Sequence, residues 1–210
     1  MIKMVKNKMS DDLKLRINAL DGYSKSSAGC AIGIEEKPLT GMVTLRAADL
    51  SLIPSDSFHE ITGCDIPAPL KFTSSPTHMV LWMSTDELMI LSDYDSANKL
   101  VCSLNNIVDK NSKRLCYCVN VSDARSIFSL TGNLCREVFA KGSPLDYNRE
   151  KFSVGCMRRT RIAAVSVAIY QIEENPDMFE VFCYRSYARY LFDWLCTHSR
   201  KNTFPLVISQ

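Results

Sequence analysis

The chain has few histidines, no long apolar run and almost no excess of one charge. Its three histidines, His59, His78 and His198, stand far apart among 210 residues, so neither a compact histidine metal site nor a histidine-assisted nucleophile has residues to build on. No stretch approaches the roughly 20 apolar residues that a membrane helix needs. The start, MIKMVKNKMSDDLKL, has basic residues but not the apolar block of a secretory leader. With 25 Lys and Arg against 23 Asp and Glu, a formal net charge of +2, charge gives no ground for nucleic acid as a partner. These features lead to the expectation of a cytoplasmic protein with neither a membrane nor a nucleic-acid partner.

Phosphate-binding motifs are missing as well. The segment SSAGCAIG (26–33) has glycines but neither the lysine and hydroxyl of a P-loop nor the spaced glycines of a dinucleotide fingerprint. Present instead are nine cysteines, an odd number set mostly in apolar runs. That usage fits small hydrophobes buried in a reducing compartment better than a disulfide framework. Cys116 and Cys118 form C-x-C, which a strand would turn to one face, and packing is the simpler role for them.

A hydrophobic fraction of 46% with 23% charged residues fits a folded globular body. Four segments follow from composition and period. Residues 1–40, mixed and rich in Gly, Ser and Lys, form a leader that is flexible or held as an arm by a partner. Residues 41–122 form a first module. Alternation from Met42 to Ala47 predicts a strand, PSDSFHEITG predicts a short helix stopped by Gly63, and two strands are expected at 79–83 and 88–92 around the polar STDE. Helical spacing returns from Ala97 to Val108 behind Ser96, and RLCYCVNVS closes the module as a strand with Leu115, Tyr117, Val119 and Val121 on one face. Strand, helix, strand, strand, helix, strand is the split βαβ order of a ferredoxin-like layer. The sheet face that its helices leave open needs another layer or a partner. Residues 123–200 read as a second, incomplete module packed on the first. It has a helix at Leu134, Val138 and Phe139, a hairpin of RIAAVSVAIYQI with MFEVFCYRS around EENPD, and a final helix from Tyr187 behind Ser186. Residues 201–210 are a tail.

The candidate sites have structural alternatives. Asp86 and Glu87 fall in one hairpin connection and Glu173, Glu174 and Asp177 in another, where solvated turns account for all five. Arg158, Arg159 and Arg161 in CMRRTR concentrate positive charge and fit either an acidic partner face or solvent. In VSDARSIFSLTG (121–132), Asp123 is placed to cap a helix start and Arg125 to reach a neighbouring strand end. Capping and clamping explain that pair better than catalysis.

Several stretches together resemble the gamma subunit of heterotetrameric sarcosine oxidase: TLRAADL (44–50), FHEITG (58–63), VLWMSTDELMIL (80–91), VSDARSIFSLTG, PLD (144–146), CMRRTRIAAVSVAIY (156–170) and FEVFCYRSYARYLFDWL (179–195). The resemblance implies an α+β chain of two joined ferredoxin-like modules, related to the folate-binding region of glycine-cleavage aminomethyltransferases. It further implies a non-catalytic structural subunit of an oxidoreductase complex in sarcosine catabolism and one-carbon metabolism. Alpha, beta and delta partners would carry FAD, FMN, NAD, tetrahydrofolate and zinc, and this chain would bind no cofactor or metal. The complex would oxidise sarcosine to glycine, forming hydrogen peroxide and methylenetetrahydrofolate. Asp123, Arg125, Thr131, Gly132, Arg161, Arg185 and Tyr187 match characteristic family positions with a structural role. Trp82, Phe128, Tyr147, Phe152, Arg158, Arg159 and Tyr184 are candidate interface residues. An independent folate-dependent aminomethyltransferase or folate-binding module is the alternative, since a fold does not dictate a function.

Overall fold

The structure, a computed structural model, describes residues 17–23, 29–111 and 116–200. Among them, ten strands and four α-helices follow one another: β1 Gly33–Glu36, β2 Thr40–Ala47, α1 Ser55–Thr62, β3 Phe72–Ser74, β4 Met79–Ser84, β5 Glu87–Asp93, α2 Ala97–Asn111, β6 Cys116–Asn120, β7 Arg125–Thr131, α3 Cys135–Ala140, β8 Met157–Ile162, β9 Val165–Glu173, β10 Met178–Tyr184 and α4 Ala188–His198. They build two five-stranded antiparallel sheets, ordered β3-β4-β5-β2-β6 and β1-β7-β10-β9-β8. No helix among the described residues is long and apolar enough to cross a membrane.

The first sheet holds the ferredoxin-like order with β3 added at its edge. The second holds the same order, but its fourth strand is β1, which lies ahead of the first module in sequence and pairs Ile34 with Leu130 of β7. The second module is therefore completed from the segment that composition marked as a loose leader, and its apparent incompleteness was a matter of chain order. Ile32 and Ile34 are 5% exposed in its core, against which Ala19, Leu20 and Tyr23 also pack. Residues 1–16, 24–28 and the expected tail at 201–210 lie outside the described residues.

Each sheet buries one face under its own helices and the other against its neighbour. On the helix side of the first sheet, Val43, Leu45, Val80, Leu88 and Ile90 meet Phe58 of α1 and Leu100 and Leu104 of α2. On the helix side of the second, Phe128, Leu130, Ile169, Phe179 and Val181 meet Val138 and Phe139 of α3 and Leu191 and Leu195 of α4. Between the sheets, Met42, Leu81, Met83, Met89 and Leu91 interlock with Ile127, Met157, Ala168, Tyr170 and Phe182. Each such side chain contributes about 1.5–3 kcal/mol when removed from water, and unbranched methionines adapt to the gap between two twisted sheets. The open face that the first module's sequence left to another layer or a partner is thus covered by the second module, giving four layers, α/β/β/α. Burial on both faces explains why β5 reads ELMILSD without alternation: all but its last residue are buried.

Several local expectations change. The β4–β5 connection is two residues, Thr85 and Asp86, so Glu87 belongs to a strand and is 7% exposed rather than solvated. The expected strand at 161–172 is two strands, β8 and β9, turned by Ala163 and Ala164, with Ala163 at φ +50°. On β6 the inward face carries Cys116 and Cys118, because Cys118 pairs with Leu45 of β2 whose side chain faces α2; Tyr117 and Val119 point outward, 52% and 46% exposed. Leu115 lies outside the described residues. Ser186 does not cap the last helix, which begins at Ala188 after a 3-10 turn at Arg185–Tyr187 and has no side-chain cap.

Candidate functional site

The seam between the two sheets opens at one end into a cleft of about 320 Å³, lined by Arg46, Met83, Glu87, Arg125, Arg159, Phe182 and Tyr184 and by the β9 segment Ser166–Ala168. Strand register assembles it. Arg46 lies opposite Glu87 across β2 and β5, and Arg125 lies opposite Tyr184 across β7 and β10. Arg159, on edge strand β8, reaches across the seam and donates from Nη1 to the Met83 carbonyl at 3.3 Å. Glu87 takes one ion pair, 3.2 Å from Arg46 Nη2. Three arginines and one glutamate thus line the cleft.

Arg125 is the unusual member. Its guanidinium carbon lies 4.6 Å from the Tyr184 ring centroid and 5.4 Å from that of Phe182. Its Nε is buried with no hydrogen-bond partner among the described residues. Ring faces attract a guanidinium by about 0.5–2 kcal/mol, but they do not satisfy its in-plane donors.

Asp123 does not cap a helix. It sits in a 3-10 turn at Ser122–Ala124 and accepts the Tyr94 hydroxyl at 2.5 Å. Thr131 ends β7, and Gly132 turns the chain at φ +137°, where a Cβ would come 3.3 Å from Ile32 Cγ2. Arg185 donates to the Ile17 carbonyl, while Arg161 is exposed on β8 and Tyr187 is 51% exposed. Arg158 donates to the Leu70 carbonyl at 2.9 Å, so both Arg158 and Arg159 tie the second module to backbone of the first.

The candidate interface aromatics separate by burial. Phe128, Phe152 and Tyr147 are 0%, 1% and 5% exposed; they pack under α3 and α4 and have no surface to offer a partner. Burial raises the Tyr147 hydroxyl to a pKa of about 12, against a smaller lowering by its hydrogen bond to Ser143. Tyr184 is 49% exposed, and Trp82 is half-buried beside a groove of about 600 Å³ that includes Leu50, Ile53, Ile66 and two prolines.

Sequence reasoning missed a buried ionic knot beneath α3. Asp177, expected in a solvated turn, is fully buried and receives Arg136 and Arg149. Arg136 donates from all three nitrogens, to both Asp177 oxygens, to Gln171 Oε1 and to the carbonyls of Tyr147 and Phe152. The arginine lies in an ordinary-looking amphipathic helix, and only its position directly below Asp177 in space gives it away. Between the sheets Glu180 likewise receives the Tyr170 hydroxyl and Lys37. Cys64, Cys118, Cys135, Cys156 and Cys183 are buried thiols, and no group of three or more metal-ligating side chains occurs among the described residues.

A sequence model of the sarcosine oxidase, gamma subunit family matches residues 46–201. The chain belongs to that family. Among solved structures, heterotetrameric sarcosine oxidase from Corynebacterium sp. U-96, in complex with pyrrole 2-carboxylate, includes a chain of the same fold. The TM-score is 0.78 at 20% identity, over 92% of this chain and 100% of that one. The glycine cleavage system aminomethyltransferase T from Bartonella henselae matches with a TM-score of 0.56 at 12% identity, over 83% of this chain. This chain spans 48% of that protein's length. The α+β fold of two ferredoxin-like modules is thus shared with both. A search by sequence among curated proteins gives no match.

Proposed function

We propose that the chain is a non-catalytic, structural gamma subunit that supports assembly of a heterotetrameric sarcosine oxidase, packing against larger companion subunits. The family match across residues 46–201 carries this reading, and the full-length correspondence with a chain of the Corynebacterium enzyme supports it. The outward side chains suit the role: Tyr117, Val119, Tyr184, Tyr187 and Tyr190 are 46–52% exposed, and tyrosine beside arginine is the composition that anchors protein interfaces. A stable heteromeric contact buries upwards of about 2,000 Å². The companions would be alpha, beta and delta subunits in the cytoplasm, carrying FAD, FMN, NAD, zinc and the folate chemistry, with this chain binding none of them. Sarcosine would be oxidised to glycine on those subunits.

Co-expression of the four subunits with and without this one tests the role. The expected result is loss or weakening of the assembled oxidase when this chain is omitted; normal assembly and stability without it would defeat the proposal. Titration of the isolated chain with folate, flavin and nicotinamide cofactors should show no tight binding.

A further inference from the structure

The end of the seam has features that packing alone does not account for. An arginine held between aromatic rings usually completes its donor set on a carbonyl or carboxylate, because an unmade hydrogen bond on a buried charged group costs about 1–3 kcal/mol or more. Arg125 Nε is buried with no such acceptor among the described residues. The cleft it lines contains Arg159, whose acceptor among the described residues is a backbone carbonyl 3.3 Å away, and Arg46, already committed to Glu87. The lining carries three cations and one anion; Asp86, at the rim beside Arg46 and Arg159, offsets part of the surplus, and the balance in a recess with low-dielectric walls stays positive.

We propose that this cleft binds a carboxylate, with the Arg125 and Arg159 guanidiniums as donors and Phe182 and Tyr184 as the apolar wall for the carbon attached to it. Three observations select that class of ligand. Guanidinium forks match the planar, two-oxygen geometry of a carboxylate. Glu87 projects into the same recess and is 7% exposed, so a doubly charged phosphate meets more repulsion there than a singly charged carboxylate. The aromatic wall favours an organic anion over an inorganic one. A volume of about 320 Å³ has room for a small organic acid or for one acidic side chain of a neighbouring subunit, and the chemistry is common to both. The site goes beyond the assembly role and depends only on this chain, so failure of either reading leaves the other standing.

Calorimetric titration of the full chain, in low-salt buffer free of carboxylate and phosphate, tests the site with three carboxylate probes, benzoate, succinate and an acetylated pentapeptide containing one glutamate, and with inorganic phosphate as the comparison. Saturable one-site binding of at least one carboxylate probe is expected. Arg125→Gln and Arg159→Gln should each weaken it about tenfold or more, the loss of a charge-assisted hydrogen bond, and Arg125→Lys should not restore it because lysine lacks the fork. Arg159 is exposed, so Arg159→Gln keeps the test informative if Arg125→Gln does not fold. Binding of benzoate or succinate assigns the site to a small acid; binding of the peptide alone assigns it to an acidic side chain of a protein neighbour. No saturable binding by any probe, unchanged affinity in a folded Arg159→Gln protein, or tighter binding of inorganic phosphate than of every carboxylate would overturn the proposal.

Discussion

Arg136 and Asp177 meet as a buried two-point pair, Nε to Oδ2 at 2.9 Å and Nη2 to Oδ1 at 3.3 Å, and bind α3 to the β9–β10 turn. Asp177 is fully buried and Arg136 is 9% exposed, so removing one partner strands a charge away from water. Asp177→Asn should destabilise the fold by about 3–5 kcal/mol, read as the shift in urea midpoint multiplied by the slope. Replacing both residues by apolar ones, Arg136→Met with Asp177→Leu, should not recover the loss. The Tyr147 and Phe152 carbonyls and Gln171 would then be without the donors that Arg136 supplies. A single-variant loss below about 1 kcal/mol, typical of exposed pairs, would show that water reaches the pair.

Cys156 should ionise ahead of the buried thiols Cys118, Cys135 and Cys183. Burial opposes its thiolate, but hydrogen bonds from Ser153 and Lys71 and the lysine charge outweigh that, bringing the pKa from 9.0 to about 7. Lys71 Nζ lies 3.1 Å from its Sγ. Burial instead pushes Cys118, Cys135 and Cys183 up to about 12. Alkylation of native protein by iodoacetamide at pH 7.5, located by peptide mass mapping, is expected to mark Cys156 ahead of those three, as thiolate content controls rate. Lys71→Met should move the midpoint of its pH–rate profile upward. The same shift has a sign for stability. A thiol whose folded pKa is depressed stabilises the fold fully above its ordinary value near 9, and that contribution is lost as pH falls through about 7. The three raised thiols act in the opposite sense, withdrawing stability as pH rises above 9. A profile midpoint for Cys156 near 9 in the wild type would contradict the lysine contact.

Gly41 fixes the approach of β2 to β5. A Cβ there would stand 2.4 Å from Ser92 Oγ and 2.5 Å from the Asp93 carbonyl oxygen, and a strand backbone in a paired register cannot step aside as a flexible side chain can. Gly41→Ala should cost about 1–3 kcal/mol, the usual penalty for overpacking, seen as a lower thermal midpoint. An unchanged midpoint would mean that the two strands are held less closely than the register requires.

The first module was legible because its signals are local. Alternation marked β2, Gly63 marked the end of α1 at φ +66°, and helical spacing marked α2. What escaped depended on the rest of the chain. The turn between β8 and β9 uses Ala163 and Ala164 in place of the Asn or Gly that such turns favour, so two strands read as one. β1 carries only Ile34 as a core apolar residue among its four and belongs to a sheet whose other strands begin at residue 125; no local period reveals that. The cleft was legible in part. Arg125 and Arg159 drew notice as sequence features, but Arg46 and Glu87 join them only through the stacking of the two sheets, and Asp177 looked solvated because its partners lie in α3 and in the loop that follows it.

Burial divides the aromatics into those that hold the fold and those exposed on the surface, and if the second group meets companion subunits the two should fail differently. Phe152 is 1% exposed, stacked on Tyr147 at 5.7 Å and edge-on to Phe179 at 5.7 Å. Phe152→Ala should cost about 3–5 kcal/mol, the transfer loss plus the cavity left behind, and should lower the yield of soluble chain before any question of assembly arises. Tyr187 is 51% exposed at the start of α4, where truncation removes little from the core. Tyr187→Ala should stay within about 0.5 kcal/mol of the wild type in denaturant while reducing the amount of this chain that copurifies with its co-expressed companions. Measuring stability and copurification on the same two variants separates the roles. If Tyr187→Ala unfolds like Phe152→Ala, the tyrosine belongs to the fold; if it is stable and copurifies normally, the exposed face around α4 is not where the companion subunits bind.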